Sequence, residues 1–281
     1  MRLAAAGFGC LAAAGLLAPE PGGLAPARAQ VSPDDPFAAL VGRRRERRRE
    51  RAPEATVQHY ALATDNRAFL FENLGASARI KFLCAENDPR LECRFEPAGT
   101  ATEIYELTPT RGPRGDVIFK TARGEALLRI ASYGGATVFW PGESVGRAAS
   151  KSYGDEARLH VAFATPQIAD KRARRATAAV SALAGAPIMF DVEDLATDET
   201  ASASVLADAV VMAAKGVAAV ANDPTGARVV AGRLEAVRFV PGEQPALSLN
   251  GKVLEVRYNP SRDLAGRPSS AAVELFLEET L

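Results

Sequence analysis

A chain of 281 residues, 47% of them hydrophobic, is long enough to bury a substantial core in one large or two small domains. Its 34 basic residues balance its 34 acidic ones, so any tendency toward nucleic acid or an anionic membrane must be local. Two histidines are too few for a histidine-rich metal site, and the HExxH and CxxC patterns are absent.

The N-terminus reads as an export signal covering residues 1–29. Arg2 is the basic start, Leu3 to Ala18 the Ala/Leu-rich apolar run, and Ala27-Arg28-Ala29 a small-x-small cleavage site before Gln30. The apolar run is too short and too rich in Ala and Gly for a membrane span. Residues 30–53 read as a linker, with a turn-rich VSPDDPF followed by the arginine block RRRERRRER from Arg43 to Arg51. Such a block cannot bury apolar surface and is a solvated spacer, or an arm for anionic polymers.

Residues 54–150 carry strand patterns. The candidates are Arg67–Glu72, Ala78–Cys84, Leu91–Phe95, Glu103–Leu107, Asp116–Thr121, Ala126–Ser132 and Ala136–Trp140, most of them bounded by Gly, Pro, Asn or Asp. So many short strands in succession imply a β-rich meander folded into a small sandwich or barrel. Export places Cys84 and Cys93, on either side of ENDPR, in an oxidising compartment, where they are expected to form a disulfide across a strand–turn–strand.

From residue 151 to 281 the rhythm becomes that of a layered α+β domain. Leu159–Phe163 reads as a strand. Thr165-Pro166 then caps a helix that ends near Ala184, before Gly185 and Pro187. Ile188–Val192 reads as a strand and Ala201–Ala221 as a core helix, because Asp208 and Lys215 interrupt its apolar run. Arg228–Val240 and Leu247–Tyr258 read as strands, the second split at Asn250-Gly251 by a hairpin turn, and the tail RPSSAAVELFLEETL as a short helix. The expected class is α+β.

The run LTPTRGPRGDVIFKTARGEALLRIASYGGATVFWPG, with AASKSYGD, ALAGAPIMFDV, DPTGARV and RYNPSRDLAGRPSS, resembles a family of exported bacterial proteins catalogued as a domain of unknown function. The resemblance covers the chain beyond the arginine-rich linker. It implies a secreted or periplasmic protein of this size and supplies no catalytic residues. A looser likeness, at the level of fold, is to the small β-barrel inhibitors of lysozyme in the bacterial envelope. In that likeness Ala131-Ser132-Tyr133-Gly134-Gly135 stands where a Ser-Gly loop followed by Tyr is found.

The candidate binding set is Arg111, Arg114, Asp116, Tyr133 and Trp140. Gly112, Gly115, Gly134 and Gly135 let a ligand approach the backbone there, and Trp and Arg are side chains enriched in binding hot spots. The alternative is that Trp140 is core and the arginines are solvated. His160, in the apolar LHVAF, is expected to be a hydrogen-bonded, half-buried imidazole. The acidic run Asp191, Glu193, Asp194, Asp198 and Glu199 lacks EF-hand spacing and reads as helix capping, so no metal and no cofactor is expected. The function this supports is a non-enzymatic envelope protein binding a cell-wall polymer or another envelope protein, without nucleic acid and without a transmembrane helix in the mature chain. The alternatives are a carbohydrate hydrolase or transferase working through Asp191 and Glu193, a lysozyme-type inhibitor, and a purely structural envelope protein.

Overall fold

The computed structural model describes residues 57–84, 103–156, 158–192 and 200–281. The export signal, the arginine block, the Leu91–Phe95 strand, Cys93, Glu193, Asp194, Asp198 and Glu199 lie outside the described residues. Residues 53–281 form one compact unit, and the described chain is mixed α+β.

Eight antiparallel strands close into a barrel: β1 Val57–Leu62, β2 Ala68–Asn73, β3 Ala78–Phe82, β4 Ile104–Arg111, β5 Val117–Lys120, β6 Ala126–Ile130, β7 Ala136–Val138 and β8 Arg147–Glu156. Each strand pairs with the next, and β8 returns to β1 through Tyr60↔Lys151 and its neighbours. Closure leaves the barrel without an exposed edge. Two of these strands escape the sequence pattern. β1 (VQHYAL) has weak alternation, and β8 (RAASKSYGDE) is too polar to read as a strand. It qualifies only because β7 and β1 supply its ladder partners on both sides.

Alternate residues point inward. Phe69 and Phe71, then Ala78, Ile80 and Phe82, then Ala136 and Val138 with Trp140 beyond them, share the interior with Tyr60, Leu107, Phe119 and Leu128. Ring contacts join them, with Phe71 and Phe119 at 4.9 Å and Phe82 and Trp140 at 4.5 Å between centroids. An eight-stranded barrel is narrow enough for side chains to fill, and these side chains make its interior core.

The outer wall carries a second apolar patch. Val57, Leu70 and Ile104 pack with Leu159, Val161 and Leu264, which explains why β2 is buried on both faces from Phe69 to Glu72. The segment expected as a strand at Leu159–Phe163 is a strap across this patch. Its alternation is real, with Leu159 and Val161 buried and His160 and Phe163 exposed, but it belongs to no sheet. It is tied down singly instead, through Arg79 Nη1 donating to the Leu159 carbonyl at 2.7 Å and the Val161 amide donating to Asp263 at 2.7 Å. Buried Glu72 meets Arg158 at 3.3 Å on the same wall. His160 is hydrogen-bonded, through its Nδ1 to the Val161 carbonyl, but is exposed.

The C-terminal half stacks helices on a four-stranded sheet of order β11-β12-β10-β9. The strands are β9 Met189–Asp191, β10 Ala236–Pro241, β11 Ala246–Asn250 and β12 Val253–Tyr258. β9 and β12 run parallel to β10, and β11 joins β12 as an antiparallel hairpin through Gly251, whose φ is +63°. The helices are α1 Pro166–Ala184, α2 Thr200–Val220, α3 Pro224–Arg233 and α4 Ser270–Thr280. α1 starts where Thr165 accepts a hydrogen bond from the Ile168 amide and Pro166 takes the first turn, and Gly185 ends it at a φ of 70°. The expected strand Arg228–Val240 is corrected: Asp223 accepts from the amides of Thr225 and Gly226 and starts α3, so only Ala236 onward is a strand. Asn222-Asp223-Pro224 therefore stops one helix and caps the next, and the capping role overrides the β-branched pair Val229-Val230.

α2 is apolar on nearly every side because α1, α4, β10 and β12 all pack on it. Its Ala203–Val220 stretch is long and apolar enough by composition to cross a membrane, and 83% of it is buried inside the fold.

Candidate functional site

A cleft of about 960 Å³ lies between one end of the barrel and the C-terminal half. The start of β4, the β5–β6 turn from Thr121 to Glu125, and Pro141-Gly142 beyond β7 form one wall. The opposite wall is the end of α2, the Leu264–Arg267 turn and the first turns of α4. Tyr105, Leu264 and Leu275 give it apolar surface.

Its floor is a buried ionic network. α2 contributes Asp208 and Lys215, seven residues apart and so two turns along one face. Lys215 Nζ donates to Glu103 at 3.4 Å, and both side chains are more than nine-tenths buried. Glu103 also accepts from the Ser270 amide at 3.1 Å and from the Ser270 hydroxyl. A carboxylate from the barrel thus sits on the positive N-terminus of α4, where the helix dipole favours it. Burial pushes the Glu103 carboxyl up, but Lys215, Arg267 and the two Ser270 hydrogen bonds outweigh that and hold it below the ordinary carboxylate range. Arg267 Nε donates to Asp208, and Lys215 stands 5.9 Å from the Tyr105 ring centroid. The Arg267 side chain is 5% exposed, and its Nη2 has no hydrogen-bond acceptor among the described residues.

The rim is acidic. Glu106, Glu125 and Glu274 face one arginine, Arg123, which donates to Glu274 at 3.1 Å and to the Ala271 carbonyl at 2.6 Å. Burial raises the Glu274 carboxyl, and the neighbouring charges of Glu278 and Glu125 add to the rise against the pull of Arg123.

Four of the five sequence candidates meet at the other end of β7. Gly112 to Asp116 forms a tight loop, with the Gly112 amide donating to the Asp116 carbonyl at 2.8 Å. The Asp116 side chain accepts from Arg129 Nε at 2.8 Å and from the Ser132 amide at 3.1 Å, which pins this loop to the β6–β7 turn. The Arg129 hydrogen bonds, then the Ser132 amide, lower its pKa. Asp116 is therefore a structural tie and is not available to a ligand, whereas Arg111 and Arg114 are exposed and Tyr133 is 88% exposed. Trp140 does not join them. It is 1% exposed, packed in the barrel core against the tilted Phe82 ring with Arg67 over its own ring at 4.8 Å, so its place in the candidate set is corrected to core.

The carboxylates expected to serve a hydrolase are elsewhere. Asp191 lies at the end of β9 with Arg238 Nε at 3.7 Å, on the C-terminal sheet and not among the cleft residues. Among the described residues no group of three or more His, Cys, Asp or Glu is placed to hold a metal ion. Cys84 is buried just past β3.

Sequence reasoning missed Glu103, Lys215, Arg267 and Ser270 as a site. The available signal was the pair Asp208 and Lys215 at helical spacing within an apolar helix, since buried charges demand partners from elsewhere in the chain. No curated protein matches the chain, and no solved structure does. The family described as Domain of unknown function (DUF4908) matches residues 36–277, and the chain belongs to that family.

Proposed function

We propose that this is a non-enzymatic, exported envelope protein that binds a cell-wall component in the cleft at the end of its barrel. The observation that carries the reading is the cleft itself: about 960 Å³, partly apolar, with converging polar groups at the junction of two packed halves, as small-ligand sites commonly are. Its buried ionic groups are engaged with one another, Glu103 with Lys215 and Ser270, and Asp208 with Arg267. Groups held this way shape and polarise a site, and neither Glu103 nor Asp208 is free to take a proton from substrate.

Co-sedimentation of the purified protein with insoluble bacterial cell wall tests it. Wild-type protein is expected to pellet, and a cleft-filled double variant, Ala219→Phe with Ala272→Phe, to stay in solution; both alanines line the cleft. Release of soluble wall fragments during the incubation, abolished by Asp191→Asn, would favour the hydrolase reading instead. Export carries its own consequence, the Cys84–Cys93 disulfide. Protein recovered from the envelope or medium is expected to resist alkylation at both cysteines until reductant is added. Two freely alkylated thiols, or protein confined to the cytoplasm, would sink that part of the reading.

A further inference from the structure

We propose that two copies of this chain associate edge to edge through β11, joining their C-terminal sheets into one continuous sheet across a two-fold axis. This edge is separate from the cleft, none of whose lining residues lies in β11. The barrel is closed, but the C-terminal sheet ends on β9 at one side and on β11 at the other. α1 covers the β9 edge. Thr177 Oγ1 accepts from the Phe190 amide at 3.0 Å and Ser181 Oγ from the Ile188 amide at 2.9 Å, so main-chain donors there are satisfied within the chain.

β11 has no such cover. The two-residue loop Gly251-Lys252 makes Asn250 and Val253 a mutually hydrogen-bonded pair. By the alternation of an antiparallel ladder, Ser248 and Ala246 also bond to β12, while Leu247 and Leu249 turn their N–H and C=O groups outward. No hydrogen bond reaches those groups among the described residues. The strand also lacks the usual protection of an edge. ALSLN contains no charge and no proline, and it pairs with β12 without a bulge. Leu247 and Leu249 pack on the core yet stay half-exposed, as residues of an edge strand do.

The strand fits a copy of itself. An antiparallel pairing centred on Ser248 sets Leu247 of each copy opposite Leu249 of the other, and these are the residues with outward groups. Their N–H and C=O groups then bond reciprocally, and the leucines are covered further. On the open face Ser248 meets Ser248 and Ala246 meets Asn250, so no like charges stand opposite one another. A foreign peptide strand would only move the open edge outward by one strand, and it must be ordered on binding. A second copy satisfies both edges at once and arrives already folded.

Sedimentation of the purified protein across a concentration series reads the association. Wild type is expected to reach twice the mass of one chain. Ser248→Lys sets two ammonium groups face to face at the two-fold axis, whereas in the separate chain it lies opposite Glu255 on β12. It is expected to raise the dissociation constant by about tenfold or more, with unchanged circular dichroism. Ser248→Cys tests the register. Cα atoms at a non-hydrogen-bonded antiparallel pair stand about 4.5 Å apart, within disulfide reach. Mild oxidation is therefore expected to link two chains of this variant, beyond any linkage in wild type. Asn250→Cys, facing Ala246 of the other copy, is expected to stay unlinked. Wild type that keeps the mass of one chain throughout the series overturns the proposal, as does association that Ser248→Lys leaves unchanged. Linkage of Asn250→Cys as readily as Ser248→Cys overturns the β11 pairing.

Discussion

Gly216 fixes how closely α2 and α4 approach. A Cβ at this position would stand 2.5 Å from Val273 Cβ and 2.7 Å from the Ser270 carbonyl oxygen, and neither atom is the free end of a flexible side chain. Ser270 is also the residue whose amide and hydroxyl hold Glu103, so the contact that spaces the helices sets the cleft floor too. Gly216→Ala should gain about 1 kcal/mol of helix propensity. The overpacking it forces costs about 1–3 kcal/mol, and because backbone is among the atoms met, the upper part of that range applies. A net loss of stability is expected in urea titration, and a variant as stable as wild type would show that α4 can move aside freely. A different kind of strain sits at Arg114, the one non-glycine with positive φ among the described residues, at 58°. That conformation costs roughly 1–2 kcal/mol for a side chain with a Cβ. The Asp116 tie to Arg129 and Ser132 pays for it and leaves the arginine displayed on an exposed loop.

At the level of elements, what was legible followed from local rules. Thr165-Pro166 and Gly185 bound α1 as the capping signals require, and Gly134 (φ 95°) turns the chain between β6 and β7 with its amide donating to the Ala131 carbonyl at 2.8 Å. Strands with a filled inward face, such as Phe69-Leu70-Phe71 and Ala78 to Phe82, announce themselves by composition. β8 does not, since a strand paired on both sides can be polar when only alternate small residues such as Ala149 touch the core. Leu159–Phe163 misleads in the opposite way: period-two burial records an extended chain lying on an apolar wall, and that condition is met without a ladder. α3 was hidden because Asp223 and Pro224 read equally well as a stop and as a start. The cleft was hidden for a deeper reason. Glu103 and Ser270 are 167 residues apart, and nothing in either neighbourhood announces that a barrel carboxylate caps the last helix.

At the scale of the whole molecule, that same carboxylate joins the barrel to the helical layer. Trp140 reports only on the barrel, and all the α-helices among the described residues lie between Pro166 and Thr280, so fluorescence and helical circular dichroism read the two halves separately. With Glu103 ionised the two signals should unfold together in urea, as expected of one cooperative unit. Glu103 is held below the ordinary carboxylate value in the folded state. Its contribution to stability is therefore complete above the unfolded-state value of about 4.3 and is lost as the pH falls through the lower folded value. Other lowered carboxyls, Asp65, Asp116, Glu143 and Asp223, add acid sensitivity of the same sign. The informative comparison is thus with Glu103→Gln combined with Lys215→Met, which removes both buried charges and leaves those carboxyls in place. Either single variant strands a buried charge and should cost about 3–5 kcal/mol, whereas the double should recover most of that. Below pH 4 the wild type should lose stability more steeply than the double variant, which lacks the Glu103 titration. Equal acid slopes in the two proteins would show that Glu103 does not couple the halves.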